Sequence, residues 1–347
     1  MKKHQEAENQ LAAQYKKGII PINILLNFYN NDWSLLLRFA KDNKLKISYG
    51  SIDRLQEEYT HIGEHLVVDA QTLILLAFFD CLPALQCVKY LHITFSSIAT
   101  LQYQYLSRNY SQINSLMKWL QSSDNIIFEA DGFIKESKIL DIFSRDFVAG
   151  CNVAHEKNIP FLFSDVSAFQ LQNIPDSGIP TDIVFISIPA LCKRFGLEHK
   201  SQKNRMIYHL LRGCTFISFD SDAILEQISI HEFNVSEDYL APFLICKTDY
   251  DMESFANVYL QAIARLNIIH RDAAISFAKV ILDDTARIWR RGTYYRETTR
   301  YNNDLNALDR SKRIFEYVVN IMQGIEKIFN GAEEAWPQYV ILRNYFK

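Results

Sequence analysis

The fold is decided by residues 64–84, which read EHLVVDAQTLILLAFFDCLPA. The apolar run Leu66–Val68 predicts a short buried strand, and Thr72–Phe79 predicts the start of an apolar helix. Asp69 lies at the junction between them. Because α/β proteins build their sites at the carboxyl edge of a parallel sheet, Asp69 is a candidate functional residue. The alternative is that Asp69 only caps the helix, a frequent role for Asp immediately before an apolar helix.

Two further acids follow the same pattern later in the chain. Asp146 comes early in a predicted helix, and Asp165 follows a second predicted buried strand, Pro160–Phe163. Their separation of 19 residues (165 − 146) accommodates a helix, a tight turn and a strand. That connection fits a right-handed crossover unit. We therefore expect Asp146 and Asp165 to lie at the sheet edge that carries Asp69.

These residues resemble the PIN-like metal-dependent nucleases, a family named for the PilT N-terminus. The resemblance covers residues 64–175 and rests on the segments VVDAQTLILLAFF, HITFSSIATLQ and RDFVAGCNVAHEKNIPFLFSD. It implies an α/β fold with a PIN-like parallel sheet sandwiched by helices. It also implies that Asp69, Asp146 and Asp165 occupy three of the family's four acidic positions. These residues would be catalytic and would hold Mg²⁺ or Mn²⁺.

The sequence departs from the family at the fourth acidic position. The family places a Glu on the helix after the second strand, where this chain has only the non-acidic candidates Ser97, Ala99, Thr100 and Gln102. Later acids are alternatives for this role, namely Glu129, Asp131, Glu136 and Asp141. Mg²⁺ needs only one or two carboxylates besides water and phosphate oxygens, so three acids are sufficient for one ion. Without a cation, the clustered acids would repel each other.

Length and composition describe an ordinary globular protein. The chain has 347 residues, of which 48% are hydrophobic and 22% charged, enough for two domains or one enlarged domain. The predicted organisation is a helical segment at 1–60, a PIN-like α/β domain at 61–220 with its core at 64–175, and a helical region at 221–347. The net charge of −3 excludes a uniformly basic coat, so a nucleic acid would have to meet a local patch.

The cysteines and the absence of long apolar runs predict the compartment. The six cysteines show no CxxC spacing and mostly lie in apolar runs, which favours buried free thiols in a reducing compartment. The polar start MKKHQEAENQ does not resemble a signal peptide. No apolar run reaches the roughly 18 residues of a transmembrane helix, so no membrane partner is expected. These features predict a cytoplasmic protein.

Two stretches are candidates for contact with nucleic acid, and the first is LQYQYLSRNYSQINSLMKWLQ at residues 101–121. Its period predicts one helix, with Leu101, Tyr105 and Leu106 facing the core. Stacking of bases on its tyrosines is the alternative. The burial preference of aromatic residues at helical spacing favours the core.

The second stretch is TARIWRRGTYYRETTRY at residues 285–301, between two long amphipathic helices. Arginines bind phosphates and aromatic rings stack on bases, so this is the strongest predicted polyanion surface. The alternative is local salt bridging to Asp283, Asp284, Glu297 and Asp304. The flanking helices predict a helical cap, a partner-binding arm or a homo-oligomer interface. The predicted nucleic-acid contacts are Arg287, Arg290, Arg291, Arg296 and Arg300.

Taken together, the sequence predicts a divalent-metal-dependent endoribonuclease, with RNA favoured over DNA. The family resemblance implies toxin-like or defence-related RNA cleavage. A rival interpretation is a catalytically degenerate PIN-like protein that lacks the family's Glu and docks a partner through its C-terminal helices. In a third interpretation the acids are only caps, and Asp69→Asn then changes stability alone.

Overall fold

The computed structural model describes the chain in segments. The described residues are 2–16, 20, 22–30, 32, 35–36, 39–40, 47–48, 58–107, 110–132, 144–163, 179–215, 219–244, 252–302 and 305–329. The side chains of 2–5, 16, 23, 47–48, 59, 215, 252–254, 291–302, 305–308 and 310–311 are excluded from the description. The chain divides into two compact units, Met1–Ser218 and Phe219–Lys347.

The first unit contains the sheet. Its described strands are β1 Ile47–Ser48, β2 His65–Val68, β3 Tyr90–Thr94, β4 Ile126–Glu129, β5 Phe161–Phe163, β6 Phe185–Ser187 and β7 Cys214–Thr215. Its described α-helices are α1 Lys2–Lys16, α2 Ile22–Phe28, α3 Ala70–Phe78, α4 Phe95–Ser107, α5 Ser111–Ser122, α6 Arg145–Lys157, α7 Ile188–Phe195 and α8 Lys200–Gly213. Two short 3₁₀ helices lie at Tyr59–His61 and Leu82–Cys87.

Five strands form one parallel sheet in the order β4-β3-β2-β5-β6, which confirms the predicted α/β class. β1 and β7 form a separate two-stranded parallel ladder. The chain runs outward from β2 through β3 to β4 and then returns to β5 on the other side of β2. The strand order therefore reverses between β2 and β5. In open α/β sheets, ligands bind outside the carboxyl ends of the strands at such a switch point.

The central strand β2 is buried on both of its faces. Leu66, Val67 and Val68 are all fully buried, as is typical of a strand in a parallel sheet covered by helices. The helix that follows, α3, begins at Ala70, two residues before the predicted start, and is buried through Ala77. The predicted strand and helix around Asp69 are thus both present.

The α6–β5 unit also follows the predicted order of helix, tight turn and strand. Asn158 ends α6 in the left-handed conformation, with φ of 53°. Phe147 packs on Phe161 of β5 with ring centroids 5.4 Å apart. A Cβ atom at Gly150 would lie only 2.8 Å from Cζ of Phe161, so the glycine allows close approach of helix and strand. This contact fixes α6 on the sheet, with its first turn near the carboxyl edge.

The stretch predicted as one helix at 101–121 forms two helices, α4 and α5. Leu101 is buried as predicted, but Tyr105 and Leu106 are 45% and 82% exposed, so their predicted core positions are wrong. The reason is the helical period, because Ser97, Leu101 and Gln104 form the buried face of α4. Tyr105 and Leu106 follow Gln104 by one and two positions, so the helical rotation places them away from that buried face.

The second unit is helical over its described residues. Its α-helices are α9 Ser221–Ile230, α10 Glu237–Leu240, α11 Met252–Ile269, α12 Arg271–Asn302 and α13 Leu305–Phe329. The three long helices α11, α12 and α13 pack against one another around buried Tyr259, Phe277 and Tyr317. None of the described helices combines the length and apolar character needed to cross a membrane.

Candidate functional site

Asp69 is the N-terminal cap of α3. Its backbone is extended, and its Oδ1 accepts a hydrogen bond from the backbone N–H of Thr72 over 2.8 Å. The side chain is buried, with 2% of the residue exposed. Capping, the alternative weighed for this residue, is therefore one of its roles.

Asp146 reaches the same helix end from the first turn of α6. Its Oδ2 accepts a hydrogen bond from the backbone N–H of Ala70 over 3.2 Å, although the two residues are 76 positions apart. Asp146 is 3% exposed. The fold thus brings Asp69 and Asp146 together at the N-terminus of α3, where orphan N–H groups and the helix dipole favour negative charge.

The electrostatics of this acid pair are unfavourable for two negative charges. Burial, followed by the charge of Asp146, raises the pKa of Asp69 to about 7. Burial likewise raises the pKa of Asp146. Within the part of the chain that the structure describes, no Lys, Arg or His forms an ion pair with either carboxylate. A cation at this position would relieve the repulsion.

The third predicted acid, Asp165, lies outside the described residues. The strand before it, β5, ends at Phe163 and is adjacent to β2 in the sheet. Among the described residues, no three His, Cys, Asp or Glu side chains form a group that could hold a metal ion. The described part of the predicted site is therefore the pair Asp69 and Asp146.

Ser97, one of the four non-acidic candidates for the fourth position of the resemblance, belongs to a pair of hydroxyl groups. Ser97 is fully buried, and its Oγ lies 2.9 Å from Oγ1 of Thr94. The Thr94 hydroxyl also accepts a hydrogen bond from the Ser97 backbone N–H. Both side chains are thereby engaged with each other at the end of β3.

Two of the alternative acids make contacts of their own. Oδ1 of Asp131 accepts a hydrogen bond from the Ser96 backbone N–H over 2.9 Å, and its other oxygen bonds the Ser96 hydroxyl and lies 3.8 Å from Nε of Arg145. Glu129 binds His92 and Lys157. Neither acid forms a metal-binding group with the described pair. Glu136 and Asp141 lie outside the described residues.

Sequence reasoning missed a buried carboxylate at β6. Glu58 accepts hydrogen bonds from both the backbone N–H and the hydroxyl of Ser187, over 3.0 and 2.6 Å. Ser187 in turn caps α7, whose early Pro189 is a recognisable start signal in the sequence. The partner Glu58 has no such signal, because it lies 129 residues away.

Sequence reasoning also missed a hydrogen-bonded series of side chains on the sheet, formed by His65, His92 and Glu129. His65 Nδ1 and His92 Nε2 are 2.9 Å apart, and His92 Nδ1 is 2.7 Å from a carboxylate oxygen of Glu129. The parallel register places these residues on one face of β2, β3 and β4. These side-chain hydrogen bonds therefore link three neighbouring strands.

The predicted arginine surface lies on α12 in the second unit. Arg287 binds the carboxylate of Glu237, with Nη2 and Oε2 2.8 Å apart, and Glu237 is not among the four acids weighed from the sequence. Arg290 is exposed. The side chains of Arg291, Arg296 and Arg300 lie outside the described set. Contact between this surface and nucleic acid stays a prediction.

The acid pair is chemically suited to a hard divalent cation. Each carboxylate uses an oxygen to accept a helix N–H and has a second oxygen with further acceptor capacity. Mg²⁺ is commonly held by one or two carboxylates, with water and substrate phosphate completing its octahedron. The two described acids therefore fit Mg²⁺ or Mn²⁺.

Comparisons with models of protein families, with curated proteins and with solved structures find no match. Functional inference for this chain therefore depends on its own residues and their geometry. The most informative feature is the convergence of two buried carboxylates at the switch point of the parallel sheet.

Proposed function

We propose that this chain is a PIN-like, divalent-metal-dependent endoribonuclease in which Asp69, Asp146 and Asp165 hold Mg²⁺ or Mn²⁺. The observation that carries the proposal is that Asp69 and Asp146, from distant parts of the chain, converge at one helix end with no described cation beside them. Perturbed, mutually repelling carboxylates at a sheet edge are typical of functional sites.

The strand order supports the same proposal. Asp69 directly follows β2, and Asp165 lies two residues after the end of β5. These strands are neighbours and flank the reversal of strand order. Because adjacent strands lie about 4.8 Å apart, residues just beyond their carboxyl ends can share one site.

The chemistry of the proposed reaction divides between the cation and the protein. A bound divalent ion polarises the scissile phosphate and lowers the pKa of a bound water. Asp69 and Asp146 would fix the position of that ion, because the N–H groups of Thr72 and Ala70 in α3 donate hydrogen bonds to their carboxylates. Burial excludes competing water and strengthens these interactions.

Free thiols support a reducing compartment for the enzyme. The described cysteines Cys81, Cys87, Cys151, Cys192 and Cys214 are all unbridged. Such thiols persist in the cytoplasm. We place the proposed activity there, in toxin-like or defence-related cleavage of RNA.

A second candidate function is favoured by Ser97. Ser97 is one of the four non-acidic candidates for the position of the family's Glu, and its buried hydroxyl is bonded to Thr94. A site short of one acid suits a degenerate PIN-like protein that binds a partner without cutting RNA. The helical second unit would then supply the docking surface, either for a different protein or for a second copy of this chain.

The two functions are separated by cleavage of labelled single-stranded RNA and DNA with Mn²⁺, Mg²⁺ or EDTA. Asp69→Asn and Asp165→Ala should abolish metal-dependent RNA cleavage. Asp220→Asn is the matched control, because Asp220 caps α9 through Ala223 as Asp69 caps α3 through Thr72. It should leave cleavage unchanged.

Calorimetric titration with Mn²⁺ completes the test. A nuclease should bind the ion in the wild type and in Asp220→Asn, and should lose binding in Asp69→Asn. If the wild type neither cuts RNA nor binds Mn²⁺, the nuclease proposal is wrong and the binding function replaces it.

A further inference from the structure

The helix α4 exposes large aromatic side chains. Phe95 and Tyr103 are 59% and 58% exposed, and Tyr105 is also exposed. On the helical period, Phe95 lies at the centre of the exposed face, and the two tyrosines flank it about two turns further on. We call Phe95, Tyr103 and Tyr105 the aromatic surface. Their exposure matters because aromatic residues of this size are usually largely buried.

The chain around the aromatic surface has no acids. Between Asp80 and Asp124 there is no Asp or Glu, whereas this interval contains Lys89, Arg108 and Lys118. The helix α4 itself has no charged residue and is rich in Ser, Thr and Gln. Lys89 pairs with Glu64, and the Asp131 carboxylate accepts hydrogen bonds from Ser96, so the property of α4 that favours a polyanion is its own lack of acids.

The aromatic surface begins beside the acid pair. The register of β2 and β3 pairs Val67 with His92, and continuing it two residues places Asp69 beside Thr94. Phe95 is the next residue, at the start of α4. Asp131 accepts a hydrogen bond from the N–H of Ser96, next to Phe95, and lies 3.8 Å from Nε of Arg145. From Phe95 to Tyr103, α4 extends about 12 Å away from the sheet edge.

We infer that the aromatic surface binds single-stranded RNA and leads it to the acid pair, an inference that rests on the proposed nuclease function. Unpaired bases stack on exposed rings, and α4 itself carries no acid that would repel the phosphates. Phe95 stacks a base next to the scissile phosphate, and Tyr103 stacks a base further along the strand. Duplex RNA, whose bases are already stacked, gains little from these rings.

Binding is measured by fluorescence anisotropy of a labelled oligouridylate in EDTA, which prevents cleavage. Phe95→Ala and Tyr103→Ala should each weaken binding by about tenfold, and the double variant by more. Tyr103→Phe should retain the wild-type affinity. Leu106→Ala is the matched control, because it removes a still more exposed apolar side chain that cannot stack. It should change the affinity by less than about twofold.

The aromatic surface is overturned if wild-type protein fails to bind the oligouridylate, or if Phe95→Ala and Tyr103→Ala bind it as tightly as the wild type. Equal loss in Leu106→Ala also overturns it, since that result shows that the rings contribute nothing specific to RNA binding. Cleavage with Mn²⁺ separates the two proposals. If the protein binds RNA through the rings but does not cut it, the aromatic surface is supported and the nuclease proposal is refuted. If the wild type cuts RNA and Phe95→Ala does so with an unchanged KM, the nuclease proposal is supported and the aromatic surface is refuted.

Discussion

The helices α3 and α9 begin in the same way but differ in how a second acid is accommodated. Asp69 caps α3 through the Thr72 N–H over 2.8 Å, and Asp220 caps α9 through the Ala223 N–H over 3.1 Å. At α9 the second acid, Asp222, binds Nη1 of Arg265 over 2.7 Å. At α3 the second acid is another buried carboxylate.

This difference shows why capping alone does not account for α3. One carboxylate satisfies the role of a helix cap, as Asp220 does at α9. The second acid at α3 comes from α6, is buried and increases the repulsion on Asp69. Such an arrangement costs stability unless a cation binds, which is the property expected of a metal site.

The largest predicted effect is on catalysis. Asp146→Asn retains the size of the side chain and its acceptor for the Ala70 N–H but removes a charge. We expect metal-dependent RNA cleavage to fall by more than about 100-fold, because changes in outer-shell partners alone cost 10–100-fold. Single-turnover rates measure the loss. Asp222→Asn is the control at α9, and a comparable loss there would remove the distinction between the two helices.

Metal binding should stabilise the folded chain through α3. At a Mn²⁺ concentration of about 100 times Kd, linkage predicts about 2.7 kcal/mol of added stability. Thermal unfolding with Mn²⁺ or EDTA measures this difference. It should disappear in Asp69→Asn and persist in Asp220→Asn. Equal stabilisation of all three proteins would locate the ion elsewhere.

The metal-free protein should lose stability as the pH rises from about 4 to about 7. The folded chain holds the Asp69 proton up to a pKa of about 7, whereas the ordinary value is 3.8. In this window the unfolded chain has released the proton, so ionisation favours unfolding by an amount on the order of 4 kcal/mol. Urea unfolding in EDTA at several pH values measures the slope.

Asp69→Asn should flatten that pH dependence, since the titrating group is gone. Asp220→Asn should keep the wild-type slope. If Asp69→Asn retains the full slope, another group is responsible and the repulsion assigned to the acid pair is incorrect.

The smallest predicted effect comes from making α9 resemble α3. Arg265→Gln removes the ion pair between Arg265 and Asp222, and we expect a cost of about 0.5–1 kcal/mol because the pair is partly exposed. The cost should shrink in 1 M salt, where the Debye length is about 3 Å. Denaturant midpoints at low and high salt measure it. A salt-independent cost would indicate lost packing instead.

The sequence was most informative where the signal is local. Buried runs predicted β2 and β5, and the apolar stretch after Asp69 predicted α3. The separation of Asp146 and Asp165 placed Asp146 at the correct sheet edge, because one crossover unit has few possible geometries. These features depend on the period of burial and on chain length, both of which are visible in the residues.

Features that depend on distant packing were not predictable. Tyr105 and Leu106 resemble core residues, yet the buried face of α4 passes through Gln104 instead. The contact of Glu58 with Ser187 joins residues without a local pattern. The atom-level meeting of Asp146 with the Ala70 N–H also depends on how closely α6 lies on β5, which no periodicity specifies.

Gly150 has a consequence for the range of sequences that this fold accepts. Its missing side chain is what lets α6 rest against Phe161, and any larger residue displaces the helix that carries Asp146. In a library randomised at position 150 and sorted for RNA cleavage, glycine should be recovered almost alone. Sorting for expression should recover some alanine as well. The difference in alanine recovery between the two selections would show how far one added methyl group at position 150 reduces RNA cleavage without preventing folding.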